Sequence, residues 1–178
     1  MSNPWLSIPL DDYESHMSLP AVGQAQMIAE QLERALDRWA PTSIAVIERT
    51  RDRHAKRLPG LELVCADVQS ESLIYDPVDF TYAALLFEYV ALLSTLRTLK
   101  RNSRLDAVLT AVLQLPHSSV HAVSPSPYKS LGKLATAMTL VAPEKLCHAA
   151  EQVGFTIVDS TILELSSGKR FCVQNFRA

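Results

Sequence analysis

The chain has 178 residues, of which 48% are apolar and 20% are charged, and its formal net charge is −2. This length and balance suit one globular domain with a full core, and the near-neutral charge argues against a nucleic acid or an anionic membrane as partner. Three widely spaced cysteines argue against a disulfide framework or a zinc motif, and no uncharged apolar run reaches the roughly 18 residues of a membrane span.

The first 18 residues are predicted to form an arm with a short helical turn near Asp12–Met17. Pro4 and Pro9 disfavour a longer helix there, because proline lacks the backbone N–H and has a fixed φ. The N-terminus is acidic and lacks the basic region of a signal peptide, so the cytoplasm is the expected location.

Thr42–Ile47, with the sequence TSIAVI, is the first predicted strand. Apolar residues recur every three or four positions between Pro20 and Pro41, and this spacing predicts a helix before the strand. After the strand, Glu48–Arg57 is almost entirely charged, and its apolar stripe is too narrow for a helix that covers a sheet. A second strand-like run follows at Leu61–Ala66.

The middle of the chain contains further strands and a helix. Val78–Leu86 is a predicted strand, and the leucines of Leu92–Leu99 predict a short amphipathic helix. The run Leu105–Leu115 fits helical spacing, but it also fits a buried strand bounded by Pro116, and periodicity alone cannot decide between them. We favour a strand from about Val108.

Residues 116–130 are predicted to be a loop, followed by helices at Leu131–Met138 and Pro143–Gly154. Phe155–Leu165 and Arg170–Phe176 are the last predicted strands, and their short connection predicts an antiparallel hairpin. Strands that alternate with helices predict an α/β domain with a mostly parallel sheet and helices on both faces. The whole chain is assigned to this single domain.

Four stretches are similar to one family of enzymes, and they are IPLDDYESHMSLPAVGQAQ, RLPGLELVCADV, PVDFTYAALLFEYV and VLQLPHSSVHAVSPSPY. With the closing GFTIVDSTILELSSGKRFCVQNFR, their order resembles class I S-adenosylmethionine-dependent methyltransferases, and a small bacterial methyltransferase-type-11-like group in particular. The resemblance implies a Rossmann-like three-layer sandwich, S-adenosylmethionine as cofactor and a small-molecule acceptor. It implies about six strands here, because one strand–helix unit of the family is missing.

The resemblance also implies where the cofactor lies, namely over the carboxyl ends of the first strands, which is the general ligand position in open α/β sheets. Ala66, Asp67 and Val68 would lie beside the adenine, and the Asp67 carboxylate would accept a hydrogen bond from its exocyclic amine. Ala84 and Leu85 would pass under the methionine part of the cofactor.

The reaction cleft would be lined by the arm, by the end of the strand Val78–Leu86 and by the loop near residues 114–128. The candidate catalytic residues are Glu88, Tyr89 and His16. The candidate substrate-binding residues, which would form the lid and walls of the cleft, are Tyr13, Met17, Phe87, Gln114 and Tyr128. The alternatives are a structural hydrogen bond for Glu88 and a surface or capping position for His16.

Two other groups of polar residues are not expected to bind anything. His117 and His121 have a spacing that metal ligands can adopt, but no cysteine or carboxylate accompanies them in the loop, so no metal is predicted. The basic run after Ile47 is diluted by Glu48 and Asp52, so we interpret it as a solvated helix face.

One feature of the family is absent, because no glycine occurs between Gly23 and Gly60. The strand Thr42–Ile47 therefore lacks the glycine-rich turn whose backbone would approach the cofactor closely. Two interpretations stay open. The chain is a methyltransferase-like protein with a small-molecule acceptor, or it is a non-catalytic derivative that has lost the cofactor and acts as a binding or interaction module.

Overall fold

The structure, a computed structural model, describes residues 8–20, 22–47, 68–69, 73–118 and 121–178. Its helices are α1 (Leu10–Met17), α2 (Gln24–Trp39), α3 (Leu92–Arg101), α4 (Leu134–Ala137), which a 3-10 helix at Lys129–Lys133 precedes, and α5 (Pro143–Gln152). Its strands are β1 (Ile44–Ile47), β2 (Val78–Ala84), β3 (Ser103–Gln114), β4 (Thr156–Glu164) and β5 (Arg170–Arg177). The predicted strand Leu61–Ala66 and the charged stretch Glu48–Arg57 lie outside the described residues.

The five described strands form one sheet in the order β1-β2-β3-β5-β4. β1 pairs with β2 and β2 with β3 in parallel, whereas β5 is antiparallel to both β3 and β4. All strands except β5 therefore run in one direction, and the predicted mostly parallel sheet with a closing antiparallel hairpin is confirmed. The predicted count of about six strands depends on Leu61–Ala66 and stays a prediction.

Side chains that alternate along the strands build a core on each face of the sheet. Phe80, Tyr82 and Ala84 of β2 belong to a cluster that includes residues of α1 and α2. Ala83 belongs instead to a second cluster, which includes Leu96 of α3 and residues of α5. The predicted three layers, with helices on both faces, are therefore confirmed.

The ambiguous run Leu105–Leu115 is a strand, as predicted, but β3 begins at Ser103 instead of Val108. Its helical spacing was misleading because β3 is buried continuously from Ala107 onward, so its apolar residues are not confined to every second position. Before that point the strand is exposed and irregular, and Asp106 has a left-handed φ of 62°.

Two predicted helices differ at their ends. α2 begins at Gln24 rather than near Pro20, because Gly23 precedes it with a left-handed φ of 64°. The helix predicted at Leu131–Met138 is a 3-10 helix that continues into the single α-helical turn of α4.

The carboxyl edge of the sheet is the edge at which β1, β2 and β3 end, at Ile47, Ala84 and Gln114. Because β5 runs the other way, it begins at this edge, directly after Lys169. Open α/β sheets bind their ligands at this edge. Within the described part of the chain, no helix is both long and apolar enough to cross a membrane.

Candidate active site

Among the described residues of the carboxyl edge, Glu88 is the most deeply buried acidic side chain, with 2% of its surface exposed. Its Oε1 accepts a hydrogen bond from the backbone N–H of Gln114 at 2.7 Å, whereas its Oε2 has no partner among the described residues. Burial raises the pKa of Glu88 to about 7, because it penalises the charged form more than the hydrogen bonds favour it. The site therefore holds a carboxyl group that titrates near neutral pH.

A turn after β2 brings Glu88 into this position. β2 ends at Ala84, earlier than the predicted Leu86, because Leu85 adopts a left-handed φ of 51°. The Leu85 N–H donates to the carbonyl of Val112 on β3 at 2.9 Å, so the turn is fixed against the neighbouring strand. A non-glycine residue in this conformation is strained, and such strain is concentrated at functional sites.

His16 approaches the same edge from the end of α1, and only 2% of its surface is exposed. Its Nδ1 is buried and has no hydrogen-bond partner in the described part of the chain. Burial and then the positive charge of Lys169 lower the pKa of His16, so its imidazole is neutral at pH 7. The surface position considered for His16 in the sequence is wrong.

Two glutamines connect Glu88 to neighbouring segments of the site. Gln114 Nε2 donates to the Ala122 carbonyl at 2.7 Å, and Gln24 Nε2 donates to Gln114 Oε1 at 3.1 Å. Both glutamines are buried. These bonds fix the Gln114 side chain, while its backbone N–H holds Glu88.

Lys169 completes the polar cluster, although the sequence did not indicate it. It is 3% exposed, and its Nζ donates to the same Ala122 carbonyl at 3.0 Å. Burial lowers the pKa of Lys169 to about 8. The predicted topology contains a signal for it. If the last strand is antiparallel to the others, the turn before that strand lies at the carboxyl edge, and Lys169 is part of that turn.

The predicted substrate-binding residues divide between the two faces of the sheet. Tyr13, Met17 and Tyr128 pack in one cluster with Tyr89 and Leu85. Phe87 belongs to the cluster on the opposite face, where it is almost fully buried. Burial, followed by the charges of Tyr13 and Glu88, raises the pKa of Tyr89 far above its usual range, so its hydroxyl stays protonated. Substrate contact by these residues stays a prediction.

The predicted cofactor residues are described only in part. Ala84 and Leu85 are buried at the carboxyl end of β2, and their contact with the cofactor stays a prediction. Val68 is buried in the cluster on the α3 and α5 face. Ala66 and Asp67 lie outside the described residues.

The sequence matches no protein-family model and no curated protein, but solved structures match its fold. The N-methyltransferase NodS from Bradyrhizobium japonicum WM9, in complex with S-adenosyl-L-homocysteine, is 13% identical, with a TM-score of 0.61 over 99% of this chain and 98% of that chain. The Burkholderia thailandensis 1,6-didemethyltoxoflavin-N1-methyltransferase, with S-adenosylhomocysteine bound, is 16% identical, with a TM-score of 0.54 over 75% of this chain and 60% of that chain. The [4+2]-cyclase SpnF is 10% identical, with a TM-score of 0.53 over 84% of this chain and 71% of that chain.

The chain has the fold of class I S-adenosylmethionine-dependent methyltransferases. The predicted Rossmann-like α/β fold is thereby confirmed. Identities of 10 to 16% show the fold alone, and one of these structures is named for a cyclase reaction. The function must therefore be argued from the site of this chain.

Proposed function

We propose that this chain is a S-adenosylmethionine-dependent methyltransferase-like protein whose acceptor is a small molecule bound at the carboxyl edge of the sheet. The proposal is carried by two buried atoms at that edge without a partner among the described residues, Glu88 Oε2 and His16 Nδ1. Each buried polar atom without a hydrogen bond costs about 1–3 kcal/mol. A ligand that supplies the missing hydrogen bonds gives this arrangement a physical reason.

Glu88 and His16 are suited to accept a proton or a hydrogen bond from an N–H or O–H group of the acceptor. With a pKa of about 7, Glu88 is partly ionised near neutral pH, and His16 is neutral, so its unprotonated nitrogen is an acceptor. S-adenosylmethionine, when bound, supplies an electrophilic methyl group. The residues of the chain would orient the nucleophile and remove its proton. Tyr89 keeps its own proton because its pKa is raised, so it would help to position the acceptor and would not serve as the base.

The residues present fit the cofactor in part. Ala84 and Leu85 place a buried stretch of backbone at the carboxyl end of β2, and the positive φ of Leu85 turns the chain there. Two cavities of the described part have volumes of about 100 and 350 Å³, and neither is lined by these two residues. The support for the cofactor assignment comes from the fold and from the turn at Leu85, and these cavities add nothing to it.

A second candidate function is a non-catalytic binding module on the same fold. The observation that favours it is the absence of glycine between Gly23 and Gly60. Only a residue without a side chain lets the backbone after β1 approach a cofactor closely and adopt positive φ freely. In this case the polar cluster would still bind a small molecule, but no methyl group would be transferred.

Isothermal titration calorimetry with S-adenosylmethionine and S-adenosylhomocysteine separates the two candidates. We expect saturable heat with a dissociation constant in the micromolar range, about −8 kcal/mol of binding free energy. Glu88→Gln keeps the side-chain shape and should bind the cofactor as the wild type does, because the role of Glu88 is on the acceptor side. If neither compound gives saturable heat with cooperatively folded protein, methyl transfer is rejected and the binding module remains.

A further inference from the structure

A cavity of about 100 Å³ opens at the carboxyl edge, next to the hydrogen bond between Glu88 and Gln114. Its titratable lining residues in the described part are Lys169, His117 and His121, and none of its lining residues is acidic. The rest of the wall is formed by the Gln114 and Ala122 segments and by apolar side chains, namely Leu115, Pro116 and Leu140. The cavity thus combines a positively charged wall with an apolar one.

Lys169 contributes a charge that no described residue neutralises. Within the described part of the chain, no carboxylate forms an ion pair with it, and its Nζ donates one hydrogen bond, to the carbonyl of Ala122. An ammonium has three N–H donors, so two of them remain for other partners. A buried charge without a counter-ion is unfavourable, and an anion in the cavity would relieve this cost.

The surroundings of Lys169 hold it in place for a ligand. The Ala122 carbonyl accepts hydrogen bonds from both Lys169 Nζ and Gln114 Nε2, and Gln24 fixes the amide of Gln114. These hydrogen bonds within the protein position the polar wall without a ligand, and such preorganisation reduces the entropic cost of binding. Burial and then the Lys169 charge lower the pKa of His16, so the electrostatic effect of Lys169 extends to the candidate active site.

We propose that this cavity binds the carboxylate group of a small organic acid, with Lys169 Nζ as the charged donor and Leu140, Leu115 and Pro116 against the carbon skeleton. If the proposed function holds, this carboxylate belongs to the acceptor. A carboxylate suits the site better than a phosphate, because the wall offers one ammonium and no arginine fork for a doubly charged group.

Nuclear magnetic resonance titrations of the cofactor-free protein test the assignment. Sodium acetate and sodium propionate should give saturable shifts at the amides of Gln114 and Ala122, with dissociation constants in the millimolar range, about −4 kcal/mol. The neutral analogues acetamide and propionamide should bind at least tenfold more weakly. Equal binding of the amides, or tighter binding of inorganic phosphate than of either carboxylate, would overturn the proposal.

Variants of Lys169 test the residue itself. Lys169→Met should weaken propionate binding at least tenfold, whereas Lys169→Arg should keep most of it because the charge remains. Lys145→Met, at an exposed position of α5, is the matched control and should bind as the wild type does. Undiminished binding by folded Lys169→Met would refute the role of this lysine.

A measurement on the wild type covers the case in which Lys169→Met does not fold. Saturation with propionate should raise the pKa of the Lys169 ammonium, because a bound anion favours its charged form. An unchanged pKa at saturation would contradict the proposal. Since all of these titrations omit S-adenosylmethionine, failure of cofactor binding leaves their outcome untouched, and their failure leaves the proposed function untouched.

Discussion

Two carboxylates near opposite ends of β2 have contrasting environments. Asp79, the second residue of β2, accepts four hydrogen bonds of 2.6 to 3.1 Å from the backbone N–H and hydroxyl groups of Thr42 and Ser43. Burial alone would raise the pKa of Asp79, but these four bonds lower it to about 2. Glu88, beyond the other end of the strand, has one oxygen without a partner among the described residues and a pKa that burial raises to about 7.

The contrast separates a structural carboxylate from one available for chemistry. At the amino edge, four donors of Thr42 and Ser43 join the segment before β1 to Asp79 of β2, so the Asp79 carboxylate stays charged down to about pH 2 and its charge is stabilising. At the carboxyl edge, the described residues leave one oxygen of buried Glu88 without a donor, so its charge is unfavourable and its proton is exchangeable near neutral pH. Perturbed carboxyl groups of this second kind are typical of functional sites.

The largest expected effect is on the pH dependence of stability at Glu88. An acid whose pKa is higher in the folded than in the unfolded state makes the free energy of unfolding fall as pH rises between the two values, here from 4.5 to about 7. The fall amounts to about 3 kcal/mol, since one pKa unit corresponds to about 1.4 kcal/mol. Glu88→Gln cannot ionise, so its free energy of unfolding should rise relative to that of the wild type, by up to this amount, as pH rises through this range.

Urea denaturation of both proteins at pH 4.5, 6 and 8 measures this difference. His16 titrates in the same range with the opposite sign, because its pKa is lowered, but it is present in both proteins and its contribution cancels in the difference. If the two stability curves run parallel between pH 4.5 and 8, Glu88 is not the buried, proton-exchanging group described above.

A smaller effect is expected when Asp79 is removed. Asp79→Ala should lower the free energy of unfolding at pH 7 by about 2 kcal/mol, because four donors lose a charged acceptor but can reach water. Asp76→Ala, at an exposed position just before β2, is the control and should change the free energy of unfolding little.

The pH dependence gives a second test of Asp79. Because the pKa of Asp79 is lowered, its stabilisation is complete above pH 4 and lost as pH falls through about 2. Denaturation curves of wild type and variant should therefore converge in acid, and a constant difference would contradict the role of the charge.

Much of the fold could be predicted because its strands and helices have distinct local patterns. The closing hairpin follows from two strand-like runs around Ser166-Ser167-Gly168-Lys169, and α5 from its proline and glycine boundaries. The start of β3 could not be predicted, because it depends on the irregular pairing of Ser103 and Val108 with β2. Such register shifts arise from tertiary pairing and leave no periodic signal in the sequence.

The site was less predictable than the fold, because its contacts join distant segments. The resemblance points to Glu88 and His16 as candidates, but it does not point to Gln24 or Lys169. The hydrogen bond of Gln24 to Gln114 spans 90 residues, and that of Lys169 to Ala122 spans 47. A lysine in a Ser-Gly turn looks solvent-exposed in the sequence, whereas Lys169 is buried and its Nζ donates to the Ala122 carbonyl.

The smallest expected effect sharpens the contrast within the Asp79 cluster. Ser43 Oγ donates to Asp79 Oδ1 at 3.1 Å and accepts the Asp79 N–H at 3.0 Å. Ser43→Ala leaves three of the four donors to the carboxylate, so it should cost only about 0.5–1 kcal/mol. It should also raise the pKa of Asp79 from about 2 toward its usual 3.8, which titration of the carboxyl carbon by nuclear magnetic resonance would show. Ser94→Ala, which removes a hydroxyl bonded to the Ala91 carbonyl on α3, should leave that pKa unchanged. If Ser43→Ala lowered the free energy of unfolding as much as Asp79→Ala does, one hydroxyl, rather than the set of four donors, would stabilise the Asp79 carboxylate.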